Sequence, residues 1–466
     1  MHVAETCFAK QLLKFGRGAM LKFAPIGINH LFAKMNIQPK ADQLSPHSSA
    51  EIQLSELAAE ATKNTVIFTA CSVNYLAKAM AMCHSALDHH SDVALVILLV
   101  DKKRPITMHD GRVRLLWAED LGFPDYLQCA FKYNIIELNT ALKPFAALRL
   151  LEEYKKVIYL DPDTCVFSPL TSVISALDEH SSVFTPHALS PYQGAGRPQD
   201  QDFLRFGCFN LGFFAVNDSA DAQLLLQWWH RQCLANCFYE PQVGLGVDQK
   251  WIDLAPAFFN KVHILKDVGF NVAFWNLHER QLKNSPIGWL VNDVTPLGFV
   301  HFSSFVESDR TIVADKQTRY APGTRPDFSE VADVYRKYLE VANKSVSVEN
   351  ASYGYSQFDN NLAISPSLRR FYAVYEADRF KDCLDPFAAI GPVYAFASLN
   401  KLLSFKPAVV AHTNFKATSD YSRQQRIIAT AFRWMLRLLG PDRYFTMLRY
   451  LAYYSSILNQ TDLLKR

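Results

Sequence analysis

Two runs of almost uninterrupted apolar residues do most to limit the folds open to this chain of 466 residues. TVIFTACSV begins at Thr65 and VALVILLVD ends at Asp101, and the segment YLAKAMAMCHSALDHH between them has a helical pattern. Strands that are apolar on both faces are typical of parallel sheets that helices cover on each side. A second helix, KPFAALRLLEEY, and a third strand, KVIYLD, repeat the alternation. The sequence therefore predicts an α/β fold with a mostly parallel sheet.

The segments on either side of this central part differ from it in composition. We expect a basic accessory segment and linker over residues 1–60, the α/β domain over residues 61–345, and a mostly helical accessory region over residues 346–466. From Arg423 to Arg466, eight Lys and Arg residues stand against two Asp among many apolar side chains. This pattern suits a helix resting on an anionic membrane, or a helix packed on the central domain with its arginines in water. Both interpretations stay open.

Composition narrows the class of protein and its compartment. Nine cysteines without any C-x-x-C pair indicate a reduced, cytoplasmic protein, and a formal net charge of +3 is too small to indicate nucleic-acid binding. No apolar run reaches the roughly 20 residues that span a bilayer. The N-terminal stretch AKQLLKFGRGAMLKF is interrupted by lysines and lacks the apolar core of a secretion signal. We therefore expect a cytoplasmic location, with a peripheral contact at the inner face of the membrane left open.

The stretch VIYLDPDTCVF places two carboxylates, Asp161 and Asp163, directly after the third apolar strand. Because the carboxyl ends of parallel strands meet at one edge of a sheet, these aspartates are expected near Asp101 and the segment from Thr69 to Asn74. Carboxylates in D-x-D spacing suit a hard divalent cation such as Mg²⁺ or Mn²⁺, which would neutralise a diphosphate. Solvated aspartates at a strand end are the alternative, and this motif alone does not decide between them.

The D-x-D motif is part of the first of four stretches that follow one another along the chain. They are LNTALKPFAALRLLEEYKKVIYLDPDTCVF, GCFNLGFFAVN, GLGVDQKWI and VHFSSF. In this order they resemble the retaining glycosyltransferases of the GT-A fold, above all the family that includes glycogenin and bacterial lipopolysaccharide galactosyltransferases. The likeness runs from about Thr65 to about Tyr320 and leaves both flanking segments uncovered. It implies a Rossmann-like, mostly parallel sheet with helices on both faces, to which the helical flanking segments are added.

The resemblance also implies the composition of a site. A divalent cation, Mn²⁺ or Mg²⁺, would be held by Asp161, Asp163 and His301. The nucleotide-sugar would be bound by residues at several strand ends, namely Thr69, Ala70, Asn74, Asp101, Lys143, Asp161, Asn210 and Gly212. The residues beside the anomeric carbon and the acceptor would be Asp248, Gln249 and Asn210.

Several of these residues also have a purely structural interpretation. His301 suits a core histidine at a strand end, and Lys143 suits a solvated lysine at the start of a helix. Asp248 or Gln249 suits a helix N-cap, where Asp is a preferred residue. Asp101 suits a strand terminator as well as a contact to base or ribose. These alternatives stay open on the sequence.

The activity implied by the resemblance is the transfer of a hexosyl unit, with retention, from a UDP-linked sugar to a saccharide or glycolipid acceptor in polysaccharide biosynthesis. One departure bears on this activity, because Glu307 stands where the family has a lysine that touches the diphosphate. Arg310, Lys316 and Arg319 are the expected replacements. The polar tract YQGAGRPQDQDFLR is expected to close over the donor and exclude water.

Three other classes of protein fit parts of the pattern. A sugar-phosphate nucleotidyltransferase also binds a metal and a nucleotide on an α/β sheet, but TACSVNYLAKA lacks the glycine-rich phosphate loop of that class. A phosphatase of the haloacid-dehalogenase type carries D-x-D after a strand, but Cys165 stands where that class has Thr or Val. A non-catalytic carbohydrate-binding or assembly subunit with a degenerate transferase fold has the loss of the lysine at Glu307 as its only support.

Overall fold

The computed structural model describes residues 64–403 and 421–460 of the chain. These residues all belong to the structural unit Leu57–Arg466. The basic segment and linker predicted over residues 1–60 lie outside the described residues.

The strands of the described residues are short outside the centre of the fold. In chain order they are β1 (Thr65–Cys71), β2 (Val93–Leu99), β3 (Ile106–Met108), β4 (Val113–Trp117), β5 (Lys156–Leu160), β6 (Thr164–Val166), β7 (Ser182–Pro186), β8 (Phe209–Asn217), β9 (Tyr239–Glu240), β10 (Leu245–Gly246), β11 (Val262–Ile264), β12 (Leu282–Ser285), β13 (Gly288–Val291), β14 (Thr295–Pro296), β15 (Phe299–His301) and β16 (Val346–Val348). Seven of them form the central sheet, in the order β11-β7-β8-β5-β1-β2-β4. Neighbours are parallel except at β8, which is antiparallel to both β5 and β7. The predicted α/β fold with a mostly parallel sheet is confirmed.

Helices lie on both faces of this sheet, also as predicted. They are α1 (Leu76–Leu87), α2 (Tyr126–Lys132), α3 (Ile135–Ala141), α4 (Lys143–Leu150), α5 (Thr171–Glu179), α6 (Asp200–Phe206), α7 (Ala220–Asn236), α8 (Gln249–Ile252), α9 (Ala255–Phe258), α10 (Pro326–Ser345), α11 (Pro366–Tyr375), α12 (Pro392–Leu399) and α13 (Tyr421–Tyr453). Alternate side chains of β1 enter two different cores, as the twofold period of a strand requires. Val66 and Phe68 pack with α2, α4 and α7, whereas Ile67 and Cys71 pack with α1, α5 and α10.

The carboxyl edge of the sheet is organised by a small antiparallel pair. After β5 the chain turns through Asp161 to Asp163 and continues as β6, which pairs with β15 so that Thr164 lies opposite His301. The backbone N–H of Phe302 donates to the carbonyl of Asp163 at 2.8 Å. Backbone pairing therefore fixes the position of the D-x-D turn relative to β15 and brings its carboxylates close to His301.

Two arginines of α11, the buried Arg369 and the partly buried Arg370, attach the chain beyond α10 to the central domain. Arg369 donates to three carbonyls at the end of α2, those of Ala130, Phe131 and Tyr133. Arg370 pairs with Glu137 of α3 and with Glu240 of β9. Carbonyl oxygens therefore accept the hydrogen bonds of Arg369, and two carboxylates balance the charge of Arg370.

Helix α13 makes much less contact with the rest of the described residues. It breaks at Gly440, whose φ of 74° lies in the left-handed region that favours glycine. Its large apolar side chains face solvent, with Trp434 58% and Leu438 79% exposed. Within residues 64–403 and 421–460, no helix is both long and apolar enough to cross a bilayer.

Candidate metal and nucleotide-sugar site

Asp161, Asp163 and His301 come together at the carboxyl edge of the sheet, with one ligand atom of each within 4.8 Å of the others. His301 Nε2 lies 3.1 Å from Asp163 Oδ1 and 3.6 Å from Asp161 Oδ2. The carboxylate side chains are 25% and 19% exposed, while the imidazole is 5% exposed. Two carboxylates and an imidazole that converge on one partly open point suit a divalent cation.

Asp161 is held from behind by two donors. The Tyr159 hydroxyl donates to Asp161 Oδ1 at 2.6 Å, and Lys143 Nζ lies 3.2 Å from the same oxygen. The other oxygen, Oδ2, is the one that faces His301. The carboxylate is thereby oriented with one oxygen in the protein and one in the site.

His301 is oriented by Asn210, which keeps the proton on the far side of the ring. Asn210 Oδ1 accepts from the Gly212 N–H at 3.2 Å and from Asn271 Nδ2 at 3.1 Å, so this atom is the amide oxygen. His301 Nδ1 lies 3.1 Å from the same oxygen and must therefore donate to it. Nε2 is left as the atom that faces the carboxylates, as a metal-binding imidazole requires.

Burial and charge have opposite effects on the pKa values of His301 and Asp163. Burial disfavours the charged imidazolium, but the carboxylates of Asp163 and Asp161 outweigh it and raise the pKa of His301. Burial would raise the pKa of Asp163, but His301 outweighs it and lowers this pKa. Without a metal the pair therefore favours a shared proton, which a bound cation would displace.

Gly212 leaves room for the imidazole ring of His301. A Cβ at this position would lie 2.3 Å from His301 Cε1 and 2.9 Å from Asn210 Oδ1. The sequence predicted that this glycine and Asn210 line the donor-sugar pocket. In the structure the imidazole of His301 fills the space beside the glycine. The amide oxygen of Asn210 already accepts hydrogen bonds from three protein donors.

Lys143 links the metal-ligand group to Asp248. Its ammonium lies 3.2 Å from Asp161 Oδ1 and 3.2 Å from Asp248 Oδ2, and it donates to the Leu211 carbonyl at 2.9 Å. Burial opposes the charged ammonium, but Asp161 and Asp248 outweigh it and raise the pKa of Lys143. Burial also raises the pKa of Asp248 to about 6, against the opposing effect of Lys143. The alternative of a solvated helix-start lysine does not hold, because this side chain is buried.

The Asp248–Gln249 pair lies at the start of α8 and faces inward. Asp248 occupies the N-cap position of α8, as the structural alternative expected, but its side chain makes no capping hydrogen bond. Gln249 Oε1 accepts from the Leu211 N–H at 3.1 Å, and its Nε2 donates to the Phe206 carbonyl at 2.9 Å. Gln249 thus connects α8 to β8 by a hydrogen bond. The carboxylate of Asp248 contacts Lys143 instead.

The residues expected at the nucleotide end are less uniform. Thr69 and Ala70 are buried in β1, whereas Asn74 is exposed beyond its end. Asp101 is fully buried and accepts from the N–H groups of Val73, Lys102 and Gly354 and from the Arg104 guanidinium. With all of these donors on its two oxygens, Asp101 joins β2 to the chain beyond α10, and the structural alternative describes it better than a nucleotide contact.

The expected replacements for the missing lysine are engaged or exposed. Arg319 donates to the carbonyls of Gln193 and Pro198 and lies 4.4 Å from the Tyr192 ring centre. It therefore holds down the tract that was expected to close over the donor. Arg310 pairs with Asp333 at 3.4 Å, and Lys316 is exposed. None of them is shown to enter the site.

Asn271 belongs to this site although the sequence did not suggest it. It donates to both Asn210 Oδ1 and the Thr185 hydroxyl, and its φ of 53° lies in the left-handed region that Asn tolerates. Its only signal in the sequence is an Asn after Gly269-Phe270, which does not distinguish it from an ordinary turn residue.

Comparisons with known proteins add two uncharacterised relatives and a set of similar folds. No family model matches the chain. The uncharacterized protein YfnD of Bacillus subtilis (strain 168) is 26% identical over 257 residues, which are 53% of this chain and 79% of that protein. YfnF of the same organism is 22% identical over 217 residues, 46% of this chain and 70% of its own length.

Solved structures with similar folds include glycosyltransferases. The galactosyltransferase LgtC in complex with donor and acceptor sugar analogs is 16% identical, with a TM-score of 0.34 over 61% of this chain and 98% of that one. The apo form of the glycosyltransferase GlyE of Streptococcus pneumoniae TIGR4 is 16% identical, with a TM-score of 0.34 over 64% and 66%. The 4-diphosphocytidyl-2C-methyl-D-erythritol synthase of Anaerococcus prevotii DSM 20548 is 12% identical, with a TM-score of 0.27 over 45% and 88%. Identities and TM-scores this low do not decide the function of the chain.

Proposed function

We propose that this chain is a metal-dependent glycosyltransferase of the GT-A type that moves a sugar from a nucleotide-diphosphate donor to a hydroxyl acceptor. The observation that carries the proposal is the meeting of Asp161, Asp163 and His301 at the carboxyl edge of the sheet. That edge is where nucleotide ligands of open α/β sheets bind. The order of the sequence motifs supports the same activity.

The metal would be held by Asp161 Oδ2, by Asp163 and by His301 Nε2. When bound, Mn²⁺ or Mg²⁺ would supply Lewis-acid stabilisation of the diphosphate as it leaves the sugar. Asn210 and Gly212 act on His301, since one fixes its tautomer and the other leaves room for its ring.

Asp248 supplies a negative charge beside the metal-ligand group. With a pKa of about 6 its carboxyl is ionised near neutral pH, and its Oδ2 lies 3.2 Å from the ammonium of Lys143, which also contacts Asp161. A carboxylate here would stabilise the positive charge that develops on the anomeric carbon in the transition state. Gln249 holds the start of α8 against β8 and so keeps Asp248 in position.

The finer parts of the proposal rest on the motif resemblance. They are a UDP-linked hexosyl donor, a saccharide or glycolipid acceptor, a role in polysaccharide biosynthesis, and retention of configuration. No side chain in the site stands out as a nucleophile. Retention would then follow a front-face displacement in which the leaving phosphate draws the proton of the acceptor hydroxyl.

A contact with the anionic inner face of the membrane belongs to the same proposal. From Arg426 to Tyr453, helix α13 carries five arginines and one acid, Asp442. Trp434, Leu438 and Phe445 of this helix are each more than half exposed. Apolar surface bordered by arginine is typical of helices that lie in the interface of an anionic bilayer. A glycolipid acceptor would lie in that same bilayer.

The test is the release of UDP from a panel of UDP-sugars, with Mn²⁺ and with chelator, for the native protein and Asp163→Ala. We expect one donor to be turned over by the native protein, only with metal, and not by the variant. A nucleotidyltransferase would instead release pyrophosphate from a nucleoside triphosphate and a sugar 1-phosphate. A non-catalytic subunit would bind without turnover, and either result would contradict the proposal.

A further inference from the structure

Among the residues that the structure describes, Lys143 and Arg319 are both engaged by protein groups, so neither is free to meet the donor. Asp161, Asp163 and Asp248 contribute three negative charges, which Lys143 and a divalent metal together would balance. A nucleotide-sugar brings two more negative charges on its diphosphate. Lys143 is already held by two carboxylates and a carbonyl, and Arg319 by two carbonyls. If the proposed function holds, another cation has to meet the diphosphate.

Helix α1 brings one lysine to the level of Asp163. Near the end of α1 the Ser85 hydroxyl accepts from the Val166 N–H of β6 at 3.0 Å. Lys78 is seven residues earlier and so lies on the same face of the helix, about 10.5 Å nearer to its start. Asp163 is three residues before Val166, which is about 10 Å of extended chain. Helix α1 starts at the edge of the sheet that carries the D-x-D turn. The step from Ser85 back to Lys78 and the step from Val166 back to Asp163 therefore both lead toward that edge, so Lys78 and Asp163 lie at a similar height beside the sheet.

Lys78 is supported but not neutralised. Its ammonium lies 4.5 Å from the centre of the Tyr75 ring, which is itself 40% exposed. Within residues 64–403 and 421–460, no carboxylate oxygen lies within the 4.0 Å ion-pair distance of this ammonium. The lysine is half-buried, so part of its surface remains open to a ligand.

We propose that Lys78 binds the diphosphate of the nucleotide-sugar donor and stabilises it as the leaving group. The ammonium is a compact charge on a flexible stem, which suits contact with phosphate oxygens on the side of the site away from Lys143. The family that the chain resembles has a lysine at the position of Glu307 that touches the diphosphate. Lys78 would make this contact here.

The experiment compares Lys78→Gln with Lys155→Gln. Lys155 is an exposed lysine beside the start of β5, at the other end of the strand from Asp161, and it pairs with Asp218. Each variant is titrated with UDP in the presence of Mn²⁺ and, separately, with uridine. We expect the Kd of UDP to rise about tenfold in Lys78→Gln, as for a lost charged hydrogen bond. Uridine binding should not change, Lys78→Arg should restore most of the UDP affinity, and Lys155→Gln should bind like the native protein.

The outcomes separate this inference from the proposed function. If the native protein binds UDP with Mn²⁺ and Lys78→Gln binds it like Lys155→Gln, Lys78 does not contact the diphosphate. Equal losses for UDP and uridine would mean that Lys78 only supports the fold around Tyr75, which also overturns the inference. If the native protein shows no metal-dependent UDP binding, the proposed function fails and this inference fails with it.

Discussion

The carboxyl edge of the sheet and helix α13 treat charged side chains in opposite ways. At the edge, Lys143 is buried between Asp161 and Asp248, so each charge depends on the position of the others. On α13, Arg433 and Arg437 stand among exposed apolar side chains. The first arrangement suits one ligand of fixed geometry, whereas the second suits a surface. Substitutions at the edge should therefore have large, specific effects, and substitutions on α13 small and additive ones.

The largest effect is expected from Lys143→Met, which leaves two carboxylates without their shared cation. Breaking a buried ion pair in this way costs about 3–5 kcal/mol. The free energy of unfolding, measured with urea at pH 7, should fall by that amount. Lys155→Met is the control, because the exposed pair of Lys155 with Asp218 contributes about 1 kcal/mol or less. Equal losses in the two variants would mean that the edge does not depend on its buried charges.

The pH dependence of stability should identify Asp248 as the strained member of the group. Its pKa is raised from 3.8 to about 6 in the folded protein, so the folded state takes up a proton more readily than the unfolded state. The contribution of Asp248 to stability is therefore greatest below about pH 4 and is lost as the pH rises through about 6. Relative to Asp248→Asn, the metal-free native protein should lose about 3 kcal/mol over this range. A difference between the two proteins that stays constant with pH would contradict this prediction.

A smaller effect, confined to metal binding, is expected from Gly212→Ala. The new methyl group would meet His301 Cε1 at 2.3 Å and displace the ring. Loss of ligand orientation of this kind lowers metal affinity about 10- to 100-fold, which a Mn²⁺ titration would measure. Gly111→Ala is the control, because nothing lies within 4 Å of a Cβ at that position. Unchanged Mn²⁺ affinity in Gly212→Ala would show that His301 is not a ligand.

The smallest effect is expected on α13. Arg433→Gln should weaken binding to vesicles that contain anionic lipid by about fivefold, since each arginine near such a surface contributes about 1 kcal/mol. Vesicle sedimentation at physiological salt measures this, with vesicles of neutral lipid as one control and Arg310→Gln as the charge-matched variant. If the native protein binds anionic and neutral vesicles equally, α13 does not use its arginines on a membrane.

The same two regions show how far the sequence could predict the molecule. The sheet was predictable because apolar strands and helical spacing are local patterns, and the D-x-D turn follows one of those strands directly. Asp161, Asp163 and His301 meet because backbone pairing of β6 with β15 brings their short segments together. Whether they bind Mn²⁺ stays a prediction.

The roles of individual polar residues were harder to predict, because their partners are distant in the chain. Asp101 accepts a hydrogen bond from the N–H of Gly354, which is 253 residues away in the chain. Asn210 accepts one from His301, which is 91 residues away. The sequence around Asp101 and around Asn210 does not predict these partners. Lys78 likewise has no motif of its own, since its value depends on the packing of α1 against β6.

The most direct test of the account is a titration of Mn²⁺ into the native protein and into Asp163→Ala and His301→Ala, with and without UDP. We predict one Mn²⁺ per native chain, bound more tightly when UDP is present, and binding weakened at least tenfold in both variants. Asp178→Ala, which removes an exposed carboxylate at the far end of β5, should bind like the native protein. If the variants bind Mn²⁺ as the native protein does, or if UDP leaves Mn²⁺ affinity unchanged, the three residues do not form the metal site of a nucleotide-sugar enzyme.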